Sequence, residues 1–158
     1  MSEKSFVFPP AELKIARRNN IFKVFDILRK KYVSLTDEEF VRQSFVAWMI
    51  NSLGYPSSLM ANEIGIHLND TFKRCDTVVY DNHCHPAMII EYKSPEIKIN
   101  QNVFDQILNY NIVLCADFLI ITNGWQLFCC RRQRDNNSYI FLKQMPSYSQ
   151  VLAFLNEA

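Results

Sequence analysis

Only three of the 158 residues are glycine, and neither G-x-G-x-x-G nor G-x-x-x-x-G-K occurs, so a glycine-rich loop that cradles phosphate with backbone N–H groups is excluded. Cysteines stand at 75, 84, 115, 129 and 130, an odd number with no framework of pairs, which reads as reduced thiols. No apolar run approaches the ~20 residues that span a bilayer, so no membrane partner is expected. Met1 to Pro10 lacks the charged start and apolar stretch of a secretory leader. Together these features lead to the expectation of a cytoplasmic protein. Charge of one sign is also missing: 17 basic residues face 16 acidic ones, for a net charge of +1. A nucleic-acid partner would have to be met by a local basic patch rather than by bulk charge. There is no internal repeat and no low-complexity segment.

What is present is a core. Hydrophobic residues make up 49% of the chain and charged residues 21%, a globular composition. A domain of this size buries about 70% of the surface of its unfolded chain, enough to fold unaided. Residues 1–35 read as an N-terminal extension and 36–158 as one compact domain. In the extension, Leu13 and Ile15 alternate with polar residues up to Arg18, Asn19-Asn20 tolerates a tight turn, and Ile21 to Phe25 returns as a β-rich run, which predicts a hairpin. A helix over 12–30 is the rival reading. Thr36 followed by Glu39 forms a capping-box pattern, and Phe40, Phe45, Trp48, Met49 and Leu53 give a helical apolar face that Gly54 ends.

Beyond Gly54 the period changes. Strands are expected over 63–68, 72–80 and 87–93, joined by turns at Asn69-Asp70 and Asp81-Asn82-His83. Val78-Val79 and Met88-Ile89-Ile90 are the continuous apolar runs of strands covered on both faces. A helix follows over 100–114, then a strand pair over 117–122 and 125–130. An edge strand over 139–142 and a closing helix from Ser147 complete the chain. The fold class is α/β: a mixed sheet flanked by helices, not a doubly wound dinucleotide fold.

Asp76 falls inside the second of these strands. Glu91 and Lys93 end the third, two residues apart and therefore on one face. A charge in a central strand is expensive to bury unless it is paired or bound to metal. Two carboxylates suit Mg²⁺, and a lysine beside them can orient water or stabilise charge growing on a phosphoryl group. Such a set is a minimal kit for metal-assisted phosphodiester hydrolysis.

The runs Arg74-Cys75-Asp76-Thr77-Val78-Val79 and Ile89-Ile90-Glu91-Tyr92-Lys93 resemble the D…E-x-K signature of the PD-(D/E)xK nuclease superfamily. Gln106 and Tyr110, at i and i+4, resemble the Q-x-x-x-Y motif of one of its branches. Within it, Thr36 to Arg132 is most similar to the N-terminal nuclease domain of type I restriction subunits. The resemblance implies a restriction-endonuclease-like fold and an Mg²⁺-dependent nuclease acting on DNA, with Mn²⁺ able to substitute and a link to restriction. It implies metal ligation by Asp76, Glu91 and the backbone carbonyl of Tyr92, joined by Glu38 or Glu39. Glu38 stands four before Arg42, as in the family's E-x-x-x-R pattern, and Glu39 is the better capping residue, so both stay open. Arg74, Gln106 and Tyr110 are the candidate nucleic-acid contacts. Two departures stand out: Cys75 replaces the proline of the signature, and no helicase motor is present.

Blander readings compete with each element. An E-x-K tripeptide alone is usually a solvated surface pair, Asp76 alone could bond Arg74, and Gln106 with Tyr110 alone is an ordinary helix pair. The ordered set of five is what favours function. His83-Cys84-His85 with Cys75 invites a zinc reading but lacks a C-x-x-C knuckle or a spaced histidine pair. The basic runs Arg29-Lys30-Lys31 and Arg131-Arg132 with Arg134 are either phosphate contacts or solvated strand ends. The alternative function is a non-catalytic or partner-dependent nucleic-acid-binding module on the same fold, working as a homo-oligomer or with a partner subunit. DNA against RNA, and endonuclease against exonuclease, are left open by the sequence.

Overall fold

The computed structural model describes residues 5–157. Two sheets are present. The smaller joins β1 (Ile15–Arg18), β2 (Ile21–Asp26) and β3 (Lys31–Ser34) in antiparallel order. The expected hairpin is β1–β2, with Asn19 and Asn20 both at positive φ in its turn. The helix reading of 12–30 is wrong, and a third strand, β3, was not foreseen. It begins on the last residue of the Arg29-Lys30-Lys31 run, which read as either phosphate contacts or a solvated strand end.

After α1 (Asp37–Ser52), the larger sheet takes its strands in chain order: β4 (Met60–Leu68), β5 (Thr71–Tyr80), β6 (Pro86–Tyr92), β7 (Phe118–Thr122), β8 (Leu127–Arg132) and β9 (Tyr139–Leu142). Every pairing is antiparallel except β6 with β7. A parallel pair needs a crossover, and α2 (Gln101–Leu114) supplies it. α3 (Tyr148–Asn156) closes the chain, with a complete capping box between Ser147 and Gln150.

The sheet carries a core on each face. On one side Val41, Phe45, Val46 and Met49 of α1 and Val151 of α3 pack on Met88, Ile90 and Tyr92 of β6. On the other, Val103, Ile107 and Tyr110 of α2 pack on Ile89, Val78 and Leu119. Alternation along β6 therefore sends Glu91 to the α2 face, beside Ile89. The box expected at the start of α1 closes only by half. The Thr36 hydroxyl accepts the Glu39 N–H at 3.1 Å, but the Glu39 carboxylate turns inward instead of returning to the cap. Gly54, at φ +73°, ends the helix as expected.

The smaller sheet is tied to the larger by a buried acid. Asp26 accepts the N–H groups of Leu28 (2.8 Å) and Arg29 (2.9 Å), the Asn62 amide (2.9 Å) and the Arg29 guanidinium. Asn62 Oδ1 in turn accepts the Thr77 hydroxyl at 2.6 Å. Burial pushes the Asp26 carboxyl up. The Arg29 N–H, Asn62 and the guanidinium outweigh that and hold it below the ordinary value. Asp26→Ala strands several buried donors at once, so it is expected to lower unfolding free energy by about 2–4 kcal/mol in a denaturant titration. An unchanged midpoint would show that the tie is not structural.

Candidate active site

Four elements meet at one end of β5 and β6. The register Val78↔Ile89 and Thr77↔Ile90 continues to Asp76 beside Glu91. The partner that should face Asp76 across β4 is Glu63, which breaks the ladder with φ +59°. A non-glycine residue in that region is uncommon and costs energy. Its carboxylate thereby reaches Arg42 at 2.7 Å and Arg74 at 3.3 Å.

Glu91 is buried, at 3% exposure. Its Oε1 accepts from Gln106 Nε2 at 2.7 Å and from Lys93 Nζ at 3.3 Å. Its Oε2 is buried without a partner. Gln106 is used at both ends: Oε1 accepts from Lys93 at 3.2 Å, and Nε2 also donates to the Tyr110 hydroxyl at 2.8 Å. The i, i+4 pair on α2 therefore orients the E-x-K residues. Tyr110 itself is buried in the core, with its hydroxyl at the edge of the site.

Asp76 is held differently. Its Oδ2 accepts the Tyr92 N–H at 2.9 Å, and its Oδ1 pairs with Arg42 at 3.1 Å. The partner considered from sequence, Arg74, pairs instead with Glu63 and is largely exposed. Arg42 is the residue that sequence reasoning underrated. Its guanidinium is buried and meets Glu63, Asp76, Glu39 (3.2 Å) and Glu38 (3.8 Å) over the Tyr92 ring. The available signal was a cation at the helical spacing of the apolar face, three before Phe45 and seven before Met49.

The two acids at the start of α1 have separate surroundings. Glu39 accepts from Arg29 at 2.9 Å, Gln43 at 2.9 Å and Arg42, and so faces the smaller sheet. Glu38 is half-exposed and lies within the field of Asp76 and Lys93. Of the pair, Glu38 is the one turned to the site.

The carboxyls share one electrostatic condition. Burial, then the charge of Asp76, push Glu91 up to about 8, against the opposing pull of Lys93. Burial raises Asp76 as well, although Arg42 and the Tyr92 N–H oppose it. Burial and Asp76 raise Glu38. Buried acids with elevated pKa values facing one another mark a place short of positive charge. Among the described residues no group of three or more His, Cys, Asp or Glu side chains forms a ready metal cluster. The zinc reading fails on this point: Cys75 is buried in the core, while Cys84, His83 and His85 lie on an exposed turn. Mg²⁺ asks for less, one or two carboxylates with water and phosphate oxygens completing its shell. The unpartnered Glu91 Oε2 beside Asp76 fits that need.

No helix among the described residues is long and apolar enough to cross a membrane. No curated protein matches the chain. The fold is similar to that of a fragment described as an HsdR subunit of a type I restriction enzyme from Vibrio vulnificus YJ016. The TM-score is 0.57 and the identity 14%, over 78% of this chain and 26% of that one. The match thus spans about a quarter of that fragment's length, and the likeness is one of fold. Residues 37–146, well over half the chain, match the family model of the type I restriction enzyme R protein N terminus. That stretch holds Glu38, Arg42, Asp76, Glu91, Lys93, Gln106 and Tyr110 alike, and the chain belongs to the family of the type I restriction enzyme R protein N terminus.

Proposed function

We propose that the protein is a metal-dependent nuclease that hydrolyses phosphodiester bonds in DNA, related in role to restriction enzymes. The observation that carries this reading is Glu91. One of its oxygens is locked by Lys93 and Gln106, and the other is buried, unpartnered and beside Asp76. Asp76 and Glu91 would hold Mg²⁺ or Mn²⁺, with the Tyr92 carbonyl and, from the entrance, Glu38. The chemistry such an ion supplies is Lewis-acid stabilisation of the phosphate's charge.

The chain's own residues do the rest. Lys93 Nζ, held by Glu91 and Gln106, directs N–H donors to where charge grows on the phosphoryl oxygens, and it can orient the attacking water. Gln106 keeps that ammonium fixed while the site fills and empties. Tyr110 fixes Gln106 in turn. Burial of Glu91 and Asp76 keeps water from screening these interactions.

A second reading has a specific observation behind it. Both oxygens of Asp76 are already engaged, by Arg42 and the Tyr92 N–H. That arrangement favours a module which binds nucleic acid and cuts only with a partner subunit. Cleavage of plasmid, linear and single-stranded DNA with Mg²⁺, Mn²⁺ or EDTA separates the two. Under the first reading the folded protein cuts only with metal, and Lys93→Ala lowers the rate by about 10²–10³. Duplex binding without cleavage by the folded wild type would favour the second.

The raised carboxyls also make stability depend on pH. The contribution of Glu91 is complete below the unfolded value and is lost as pH rises through about 8, because the folded state favours the protonated acid. In EDTA, wild-type stability relative to Glu91→Gln is therefore expected to fall between pH 5 and 8, by at most about 1.4 kcal/mol per pH unit. Mg²⁺ prefers the carboxylate and is expected to restore more of the wild-type melting temperature at pH 8 than at pH 5. Parallel pH profiles for the two proteins, unaffected by Mg²⁺, would remove Glu91 from the metal site.

A further inference from the structure

The near-neutral total conceals an uneven distribution. Between residues 14 and 31 stand seven basic residues, Lys14, Arg17, Arg18, Lys23, Arg29, Lys30 and Lys31, against a single acid, Asp26. The rest of the chain is left with ten basic and fifteen acidic residues. Asp26 is buried and bonded to Arg29, so it neutralises none of the others. Among the described residues, none of Lys14, Arg17, Arg18, Lys23, Lys30 and Lys31 forms a salt bridge.

The β1–β2 hairpin concentrates this charge on a projecting ribbon. All four residues of β1 are exposed, and at the start of β2 Ile21 and Phe22 are 54% and 52% exposed. Both faces of the tip are therefore open. The register Ala16↔Lys23 and Arg18↔Ile21, continued by the bond from Phe25 N–H to the Lys14 carbonyl, puts Lys14, Arg18 and Lys23 on one face. Phe25 and Tyr32, in edge-to-face contact, share that face, and Lys14 stands over the Phe25 ring. Arg17 lies on the other face over Phe22. At its inner end the sheet touches the site: Arg29 bonds Glu39, which bonds Arg42, which bonds Asp76. The cationic sheet and the acidic site are thus neighbours, as an enzyme must arrange them to grip a polyanion while holding a cation at the bond to be cut.

We propose that the β1–β2 hairpin is a duplex-DNA-binding ribbon, with Lys14, Arg17, Arg18 and Lys23 contacting backbone phosphates and the tip entering the major groove. The proposal rests on the nuclease reading for its choice of DNA. A two-stranded β-ribbon matches the width of the major groove. Unpaired cations on both of its faces can meet the phosphates of the two flanking strands, and each such contact releases condensed counterions. The ribbon lies outside residues 37–146, so the family match does not supply it.

The test measures binding apart from cleavage. A fluorescent duplex is titrated in EDTA with the wild type and with Lys14→Gln/Arg17→Gln/Arg18→Gln/Lys23→Gln, at several salt concentrations, after thermal unfolding has shown both to be folded. The control is Lys73→Gln/Lys143→Gln, which removes one charge from β5 and one from beside β9. Each lost contact is expected to reduce the slope of log affinity against log salt by about 0.9 and to weaken binding about eight-fold at 0.1 M salt, with the control unchanged. The tip pair Arg17→Gln/Arg18→Gln alone is expected to give about half the loss of slope. Equal slopes for the wild type and the hairpin variants overturn the proposal, as does an equal loss in the control, or a wild type that does not bind duplex. Hydrolysis of a small phosphodiester, bis(p-nitrophenyl) phosphate, by the wild type and Lys93→Ala is read alongside. Metal-dependent hydrolysis with no hairpin effect on DNA binding would sink the ribbon and leave the nuclease. A hairpin effect with no hydrolysis would do the reverse.

Discussion

One buried guanidinium organises this molecule. Arg42 projects from the buried side of α1 and meets four carboxylates, from α1 itself, β4 and β5, above the ring of Tyr92. A buried cation without partners would cost several kcal/mol, and so would each carboxylate without the cation. The two costs are cancelled only if α1, β4 and β5 stand in one arrangement. Glu63 accepts a left-handed backbone to join, and Glu39 gives up its place in the capping box. Through Glu39 and Arg29 the same network reaches the smaller sheet, where Asp26, Asn62 and Thr77 complete a second tie.

The network leaves a surplus of acid. Arg42, with Arg29 on Glu39 and Arg74 on Glu63, still leaves the four carboxylates one positive charge short, and Glu91 adds a fifth acid that Lys93 only partly balances. Sheet topology decides where this surplus collects. The parallel pairing of β6 and β7 forces α2 across the sheet, and its Gln106 and Tyr110 come down on the end of β6. Lys93 is thus held from two sides at a point where a buried carboxylate oxygen has no partner.

Much of this was legible in the sequence because it is local. The two-residue spacing of Glu91 and Lys93, the four-residue spacing of Gln106 and Tyr110, and the turn between β5 and β6 are short-range patterns with fixed geometric meaning. The ordered strands followed from period and turn residues. Long-range chemistry was not legible. Asn62 and Asp26 are 36 positions apart and Thr77 and Asn62 are 15 apart, with no motif to join them. Glu38 and Glu39 are adjacent on a first helical turn, so spacing could not separate them; their surroundings do, through Arg29 and Gln43 on one side and Asp76 on the other. β3 was not legible because four residues that begin inside a basic run carry too little alternation to show a strand.

The proposed nuclease activity requires a cation between Asp76 and Glu91. Anomalous diffraction from crystals soaked in Mn²⁺ locates it without reference to activity. A peak in coordination contact with both carboxylates and the Tyr92 carbonyl, absent in Glu91→Gln crystals, is the expected result. A Mn²⁺ peak elsewhere, or none at this point under saturating metal, would contradict it.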